Sequence, residues 1–494
     1  MNAARVAPAS RYAVAAALLV LIASARIVST YGPLSNTLDE PIHLGAGMQW
    51  LATGEYTWDP SHPPLARAMS AIAVALDGGR LQPADGALLE GLRLLGRDQH
   101  YDRTLAIARL AVLPLFWIAC AAVFFWGWRA GGGVAAVTAT LIFTTIPPVL
   151  AHAGLVTTDM AATALCTATV AASLYWAARP TWGRSLAFGV VAGLGVLSKM
   201  SFLAYVPAAW VLLLLWHRPP MKTFLSHARP ALLAGVVALA IVWTGYRFSL
   251  APLWQGVQLL LRHNTEGHDS YILGERHKTG VWYFFPITLL VKTPLALLIL
   301  LIVAAWRRPR GVSSAVLYGA AILLVAMTSR INIGVRHVLP IYGAFAVIGG
   351  ATVAEFVRTR AHNLVVALLA WQIVSGIPYH PDYISYSNEL TRGHPENFVA
   401  ESDLDWGQDM HRVGNFLRAH GAREVSFTPY SFYYLQYGHA FPKCTLSDWY
   451  HPAPGWNVVS LSGLKVFNHP GWIKGMRPQY RIGRTHWAWY FPGQ

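Results

Sequence analysis

Cysteine is scarce in this chain of 494 residues: three, at positions 120, 166 and 444. They are far apart and the first two lie in apolar runs, so neither a disulfide framework nor a cysteine-based zinc site is built into the sequence. Charge is scarce too. Asp, Glu, Lys and Arg make up only 12% of the chain against 54% hydrophobic residues, about half the charged share usual for a soluble domain. That balance excludes a soluble globular protein and a disordered one. Acids are the scarcer sign, 23 against 38 Lys and Arg, and few of them fall in the middle of the chain. An internal repeat, which the two halves of many transporters share, is also missing.

Long apolar runs are what the sequence has instead. Windows near 12–30, 104–127, 133–150, 155–178, 185–198, 203–216, 231–248, 286–305, 312–328, 335–354 and 363–378 are apolar enough to be membrane helices. They predict a polytopic α-helical membrane protein with about 11 transmembrane helices. A small-residue site in IASARI admits a cleaved leader, but the expectation is an uncleaved first helix. The net charge of +15 suits nucleic acid, anionic lipid or orienting loops, and its distribution decides. With a cytoplasmic N-terminus, the inner face carries Arg5, Arg11, Arg129, Arg179, Arg184, Arg218, Lys222, Arg229, Arg307, Arg308, Arg310, Arg358 and Arg360. Glu355 is the one acid near that face; nine lie between Asp39 and Asp102, and most of the rest follow residue 380. An inner-face basic bias of this kind sets orientation and leaves no call for nucleic acid.

Two large segments then face outward: a loop over 31–103, with amphipathic helices, and a tail over 380–494. A smaller outer segment covers 249–285. The division is a membrane domain over 1–379 and a small C-terminal α/β extracytoplasmic domain over 380–494, whose strand-like runs are REVSFTPYSFYYL and GWNVVSLSGL.

The outer loop opens with NTLDEPIHLGAGMQW. Asp39 and Glu40 sit where a helix would begin, with Pro41 behind them, so a helix cap explains one acid. His43 falls on the same face, and Gly45 and Gly47 leave space beside it. In HPPLAR, the prolines end one segment and start a helix at Leu65, and His62 and Arg67 read as surface residues or as a site. Arg109, Asp159, Lys199, Lys292 and Arg336 stand at the outer ends of spans, where snorkelling competes with function. Acids and cations on one face suit a reaction needing a base for a hydroxyl and positive charge for a phosphate leaving group. In DLDWGQDM, Asp403, Asp405 and Asp409 lack the glycine and terminal glutamate of a calcium loop, which favours a structural loop or an acceptor-facing surface.

The runs DEPIHLGAGMQWLATGEYTWDPSHPPL, TTDMAATAL, GLGVLSKMS, VWYFFPITLLVKTPLALL, RHVLPIY and YISYSNELTRGHPENFVAESDLDWGQDM, in this order, resemble the bacterial protein O-mannosyltransferase-like branch of the C-type membrane glycosyltransferases, relatives of lipid A aminoarabinose transferases. The resemblance implies a phospholipid-carrier-dependent, inverting glycosyltransferase. It assigns Asp39 as base, with Glu40 and Asp159 as further acids, and Arg109, Lys199, Lys292 and Arg336 as donor-phosphate ligands. His43 and His62 would line the substrate. No obligatory metal is implied, although relatives differ and these histidines and acids could host a divalent ion. Expected partners are a polyprenyl-phosphate sugar, membrane lipid and a glycan, lipid or protein acceptor. With the alanine-rich, arginine-over-lysine composition, the expected location is a bacterial inner membrane, N-terminus inside and C-terminus outside. The rival expectation is a transporter or flippase of a lipid-linked sugar.

Overall fold

The computed structural model describes residues 9–82, 85–357, 359, 362–429, 439, 441–466 and 470–492. Arg5, Arg358, Arg360 and the end of the run REVSFTPYSFYYL lie outside the described residues.

Helix α1 (Ala9–Val28) leads into three helices of the first loop, α2 (Asp39–Thr53), α3 (Leu65–Leu76) and α4 (Ala87–Gly96). Then follow α5 (Tyr101–Thr145), α6 (Pro147–Ala153), α7 (Asp159–Ala178), α8 (Trp182–Val196), α9 (Phe202–His217), α10 (Met221–Gly245) and α11 (Ala251–Glu266). A short antiparallel pair, β1 (Ser270–Ile272) and β2 (Glu275–His277), precedes α12 (Phe284–Lys292), α13 (Leu295–Arg307), α14 (Ser313–Met327), α15 (Ile341–Phe356) and α16 (His362–Ser375). Among the described residues, α1, α5, α7 and α10 are long and apolar enough to cross a membrane, and α8, α9, α14 and α15 are shorter apolar helices. The protein is a polytopic membrane protein.

Three spans differ in shape from the expectation. The windows 104–127 and 133–150 share α5, whose path turns at Gly131 and Gly132; Gly132 has φ +78°, a conformation that suits glycine. The window 286–305 is two helices, α12 and α13, bent by 115°. Pro294 cannot donate to the helix ladder, and the freed carbonyls of Leu290 and Thr293 accept from Asn388 Nδ2 at 2.6 and 2.7 Å. The windows 185–198 and 203–216 are separate helices: α8 packs between α7 and α10, whereas α9 packs on α14.

In the first loop, α3 begins at Leu65, directly after the two prolines of HPPLAR. The space left by Gly45 and Gly47 is filled by backbone. A Cβ on Gly45 would lie 2.0 Å from the Ala87 carbonyl oxygen, and one on Gly47 would lie 2.3 Å from that of Arg67. These glycines therefore let α4 and α3 close on α2.

After α16 the chain does not leave the bundle at once. Tyr383, Ile384, Val399 and Trp406 are buried in the same core as Phe116 and Phe143. Only then come α17 (Met410–Ala419), β3 (Glu424–Thr428), β4 (Lys443–Leu446), β5 (Gly455–Ser460), α18 (Leu461–Val466), β6 (Tyr480–Ile482) and β7 (His486–Phe491). The strands form one sheet in the order β4-β3-β5-β7-β6, parallel at β4-β3-β5 and antiparallel from β5 to β6. Met410, Val413 and Leu417 of α17 bury one side chain per turn against Val425, Phe427 and Val458.

Candidate active site

The adjacent acids at the start of α2 have opposite surroundings. Glu40 is 1% exposed. Its carboxylate accepts from Arg109 Nε and Nη2, both at 2.8 Å, from the Val156 amide at 3.0 Å and from the Thr37 amide at 2.7 Å. The return bond to Thr37 is one arm of a capping box, and the spacing Thr-Leu-Asp-Glu carries that signal in the sequence. Arg109 spends its remaining donors on the carbonyls of Leu34 and Ser35, at 3.1 and 2.8 Å. It is thus enclosed with Glu40 and does not line the cavity described next, where a donor-phosphate ligand was expected.

Asp39 points the other way. Its Oδ2 accepts from Arg336 Nη1 at 2.7 Å, and the pair stands in the wall of a cavity of about 600 Å³. His62, Lys199 and Glu401 line the same cavity, and its apolar wall includes Met200, Leu259, Leu260 and Val325. The Arg336 guanidinium lies 4.2 Å above the Trp406 ring. Trp406 is placed by the bonds Leu38 N to Trp406 O, 3.0 Å, and Ser35 N to Gln408 O, 2.9 Å. The segment after α16 therefore frames the start of α2. Neither Glu401 nor Trp406 was singled out in the sequence; the signal was the run ESDLDWGQD, which carried the resemblance but from which only the aspartates were taken as candidates.

Asp159, at the first residue of α7, is buried and accepts from Lys199 Nζ at 2.5 Å. Lys199 thus reaches the cavity wall already paired. Lys292 is elsewhere: its Nζ donates to the carbonyls of Ile384 and Asp403 at 2.7 and 2.6 Å, tying the end of α12 to the tail segment. Asp403 in turn accepts from the Val335 amide, Asp405 from Gly407 and Ser460, and Asp409 from Arg412 and Thr485. The three acids of DLDWGQDM hold loops together.

Arg67 is not a surface residue. It is fully buried, and its Nε donates to His43 Nδ1 at 2.8 Å while Nη2 pairs with Asp59. Burial first, then the Arg67 charge, holds His43 well below the ordinary histidine range, so the ring is neutral with its proton on Nε2. Burial alone would raise Asp59, but His62 and Arg67 together hold its carboxyl well below the usual range. The His62 ring packs edge-on against His43 at 5.1 Å. His43 is therefore a buried support behind His62, which reaches the cavity.

His43 Nδ1 is taken by Arg67, and His62 Nδ1 faces Asp59 and Ser61. Among the described residues, no three His, Cys, Asp or Glu side chains gather into a group that could hold an ion.

A helical bundle of this order, with loop helices carrying an acid over a cavity and a small sheet after the last span, is a fold shared with solved structures. The chain is similar to ArnT from Cupriavidus metallidurans in the apo state, with a TM-score of 0.55 at 14% identity over 96% of this chain and 97% of that one. It is similar to the same protein bound to undecaprenyl phosphate, with a TM-score of 0.54 at 14% identity and the same coverage. A more distant likeness is to the archaeal oligosaccharyltransferase AglB from Archaeoglobus fulgidus, with a TM-score of 0.42 at 11% identity over 90% of this chain and 69% of that one. No family model and no curated protein sequence matches the chain.

Proposed function

We propose that the protein is an inverting glycosyltransferase that moves a sugar from a polyprenyl-phosphate-linked donor to an acceptor hydroxyl at the outer face of the membrane. The observation that carries this reading is the cavity in which Asp39, His62, Lys199 and Arg336, from four separated stretches of chain, meet an apolar wall. A lipid-linked sugar phosphate has both of the parts such a site would recognise. The likeness in fold to a protein solved with undecaprenyl phosphate supports the donor class. Eleven spans, an inner N-terminus and an outer sheet complete the reading, supported by the run of basic residues that falls on one side.

In this scheme Asp39 takes the proton of the acceptor hydroxyl, the oxygen attacks the anomeric carbon from the face opposite the phosphate, and the bond from that carbon to the phosphate oxygen breaks. The electron pair leaves on the lipid phosphate, beside Arg336 and Lys199. Arg336 has a second task. While it is paired with Asp39 it occupies that carboxylate, and an arriving phosphate competes for the same guanidinium and frees the base. Asp159 positions Lys199, the Glu40–Arg109 pair positions the start of α2, and Lys292 positions the tail segment. No step passes through a metal. His62 contacts substrate, and His43 acts through it.

The test compares lipid-linked sugars and envelope glycans in a deletion strain carrying either the wild-type chain or Asp39→Asn. Accumulated donor and absent product with the Asn variant are expected. Full restoration of transfer by that variant sinks the mechanism.

A further inference from the structure

The carboxyl of Glu401 has no part in the scheme above, yet it stands in the wall of the same cavity. It is 5% exposed, and its Oε2 is buried without a hydrogen-bond partner. Its backbone has φ +51°, in the left-handed region that a residue with a Cβ enters at a cost. The neighbours impose that conformation. The Glu401 carbonyl accepts from the amides of Leu404 and Asp405, both at 2.9 Å, and Ser402 Oγ donates to the Ile333 carbonyl at 3.2 Å. Asp403 is held by the Val335 amide and Lys292. A strained residue locked in place in a cavity wall, with a buried carboxyl oxygen left unpaired, asks for a ligand.

Charge says which form of the carboxyl such a ligand would meet. The two cations that reach the cavity are each matched by a carboxylate, Arg336 by Asp39 and Lys199 by Asp159. The other titratable groups around Glu401 are His62, His263 and His268, His337 beside Arg336, and the carboxylates of Asp269 and Asp403. An ionised Glu401 would leave the cavity net negative and hostile to phosphate, whereas a neutral one adds an O–H donor and no charge.

We propose that Glu401 works as a neutral carboxylic acid whose O–H donates a hydrogen bond to the phosphate of the lipid-linked donor, a third phosphate contact beside Arg336 and Lys199. The proposal rests on the glycosyltransferase reading and adds to it a residue that touches the leaving group. The proton stays on Glu401 throughout. Burial pushes this carboxyl up to about 8 against the pull of Arg336, with Asp403 and Asp269 pushing the same way. The acid form therefore prevails at neutral pH and is lost as pH rises through that value.

The experiment uses the full-length protein in detergent as wild type, Glu401→Gln and Glu401→Ala. Binding of farnesyl phosphate and transfer from a lipid-linked sugar are followed from pH 7 to 9.5, where the phosphate itself is already ionised. Wild-type affinity should fall with rising pH by on the order of ten-fold or more, the worth of one hydrogen bond to a charged group. Glu401→Gln, which keeps an N–H donor that cannot ionise, should bind within about three-fold of wild type at pH 7 and lose the fall. Glu401→Ala should bind about ten-fold more weakly at pH 7. A Gln variant that keeps the fall, or one that binds about ten-fold or more weakly than wild type at pH 7, overturns the proposal, and neither result depends on the Ala variant folding. Transfer by wild type with Glu401→Ala unchanged at every pH overturns the role of Glu401 and leaves the glycosyltransferase reading intact. Wild type that transfers nothing overturns that reading instead.

Discussion

Asp39 and Glu40 are neighbours in sequence and each is paired with an arginine, but the two pairs are built for different purposes. Around Glu40 nearly every polar atom is matched: two bonds to Arg109, two backbone amides, and two carbonyls on the far side of the guanidinium. A buried pair satisfied to this degree is rigid, and losing one partner strands a charge. Around Asp39 there is one arginine, an open cavity and a side chain 22% exposed. A pair left so loosely matched can exchange partners with a ligand. The difference teaches that adjacency to a candidate base says little about role; the count of satisfied bonds says more.

That contrast can be broken at either end. The largest expected effect is on rate: Asp39→Asn should lower transfer by about 100- to 10,000-fold, the range of general-base catalysis, with the melting temperature unchanged. A melting temperature that fell with activity would place Asp39 among the structural acids. Next in size, Glu40→Ala should destabilise the protein by about 3–5 kcal/mol, because Arg109 is left buried and unpaired. Folded yield and thermal unfolding in detergent measure it, and a stable but inactive variant would move Glu40 into the chemistry. Arg336→Lys keeps the charge but loses the planar fork, so donor KM should rise on the order of ten-fold with little change in stability. An unchanged KM would mean that the pair with Asp39 does not open.

The smallest effect concerns the cluster behind the cavity. Asp59 is held below the ordinary carboxylate range by His62 and Arg67, against its burial. Its contribution is therefore present above the unfolded value near 3.9 and fades as pH falls from there toward the lower folded value. Asp59→Asn should cost about 1–2 kcal/mol at pH 7, with the gap to wild type narrowing below about pH 4. Thermal unfolding between pH 3 and 7 reads it, and a constant gap would show that packing rather than charge is lost.

Much of the helical plan was legible because apolar windows and prolines act locally. The start of α3 after HPPLAR and the separate α8 and α9 follow from such signals. The break between α12 and α13 was half visible: Pro294 marks it, but the Asn388 side chain that makes it tolerable is 94 residues away. In the site, Asp39 and His62 were named from motifs of the outer loop, Lys199 and Arg336 from the outer ends of spans, and the structure puts all four on one cavity. Arg109 and Lys292 were named on the same grounds and are occupied elsewhere, because position along a span does not reveal which partner a long side chain finds. Arg67 looked superficial because its partners, His43 and Asp59, come together only when α2 and α3 pack. Glu401 was passed over within ESDLDWGQD, since its place in the cavity wall depends on a backbone conformation set by distant loops.

The hydrogen bonds from Ser35 and Leu38 to Gln408 and Trp406 have a bearing on biosynthesis. The acid pair leaves the ribosome early, whereas the strand of backbone that frames it follows some 370 residues later, about 20–70 seconds at ~5–20 residues per second. Through that interval the nascent helices can settle in the membrane with Asp39 in place but no cavity around it. The cavity is the last part of the bundle to be completed, so a prematurely terminated chain would carry Asp39 without the segment that frames it.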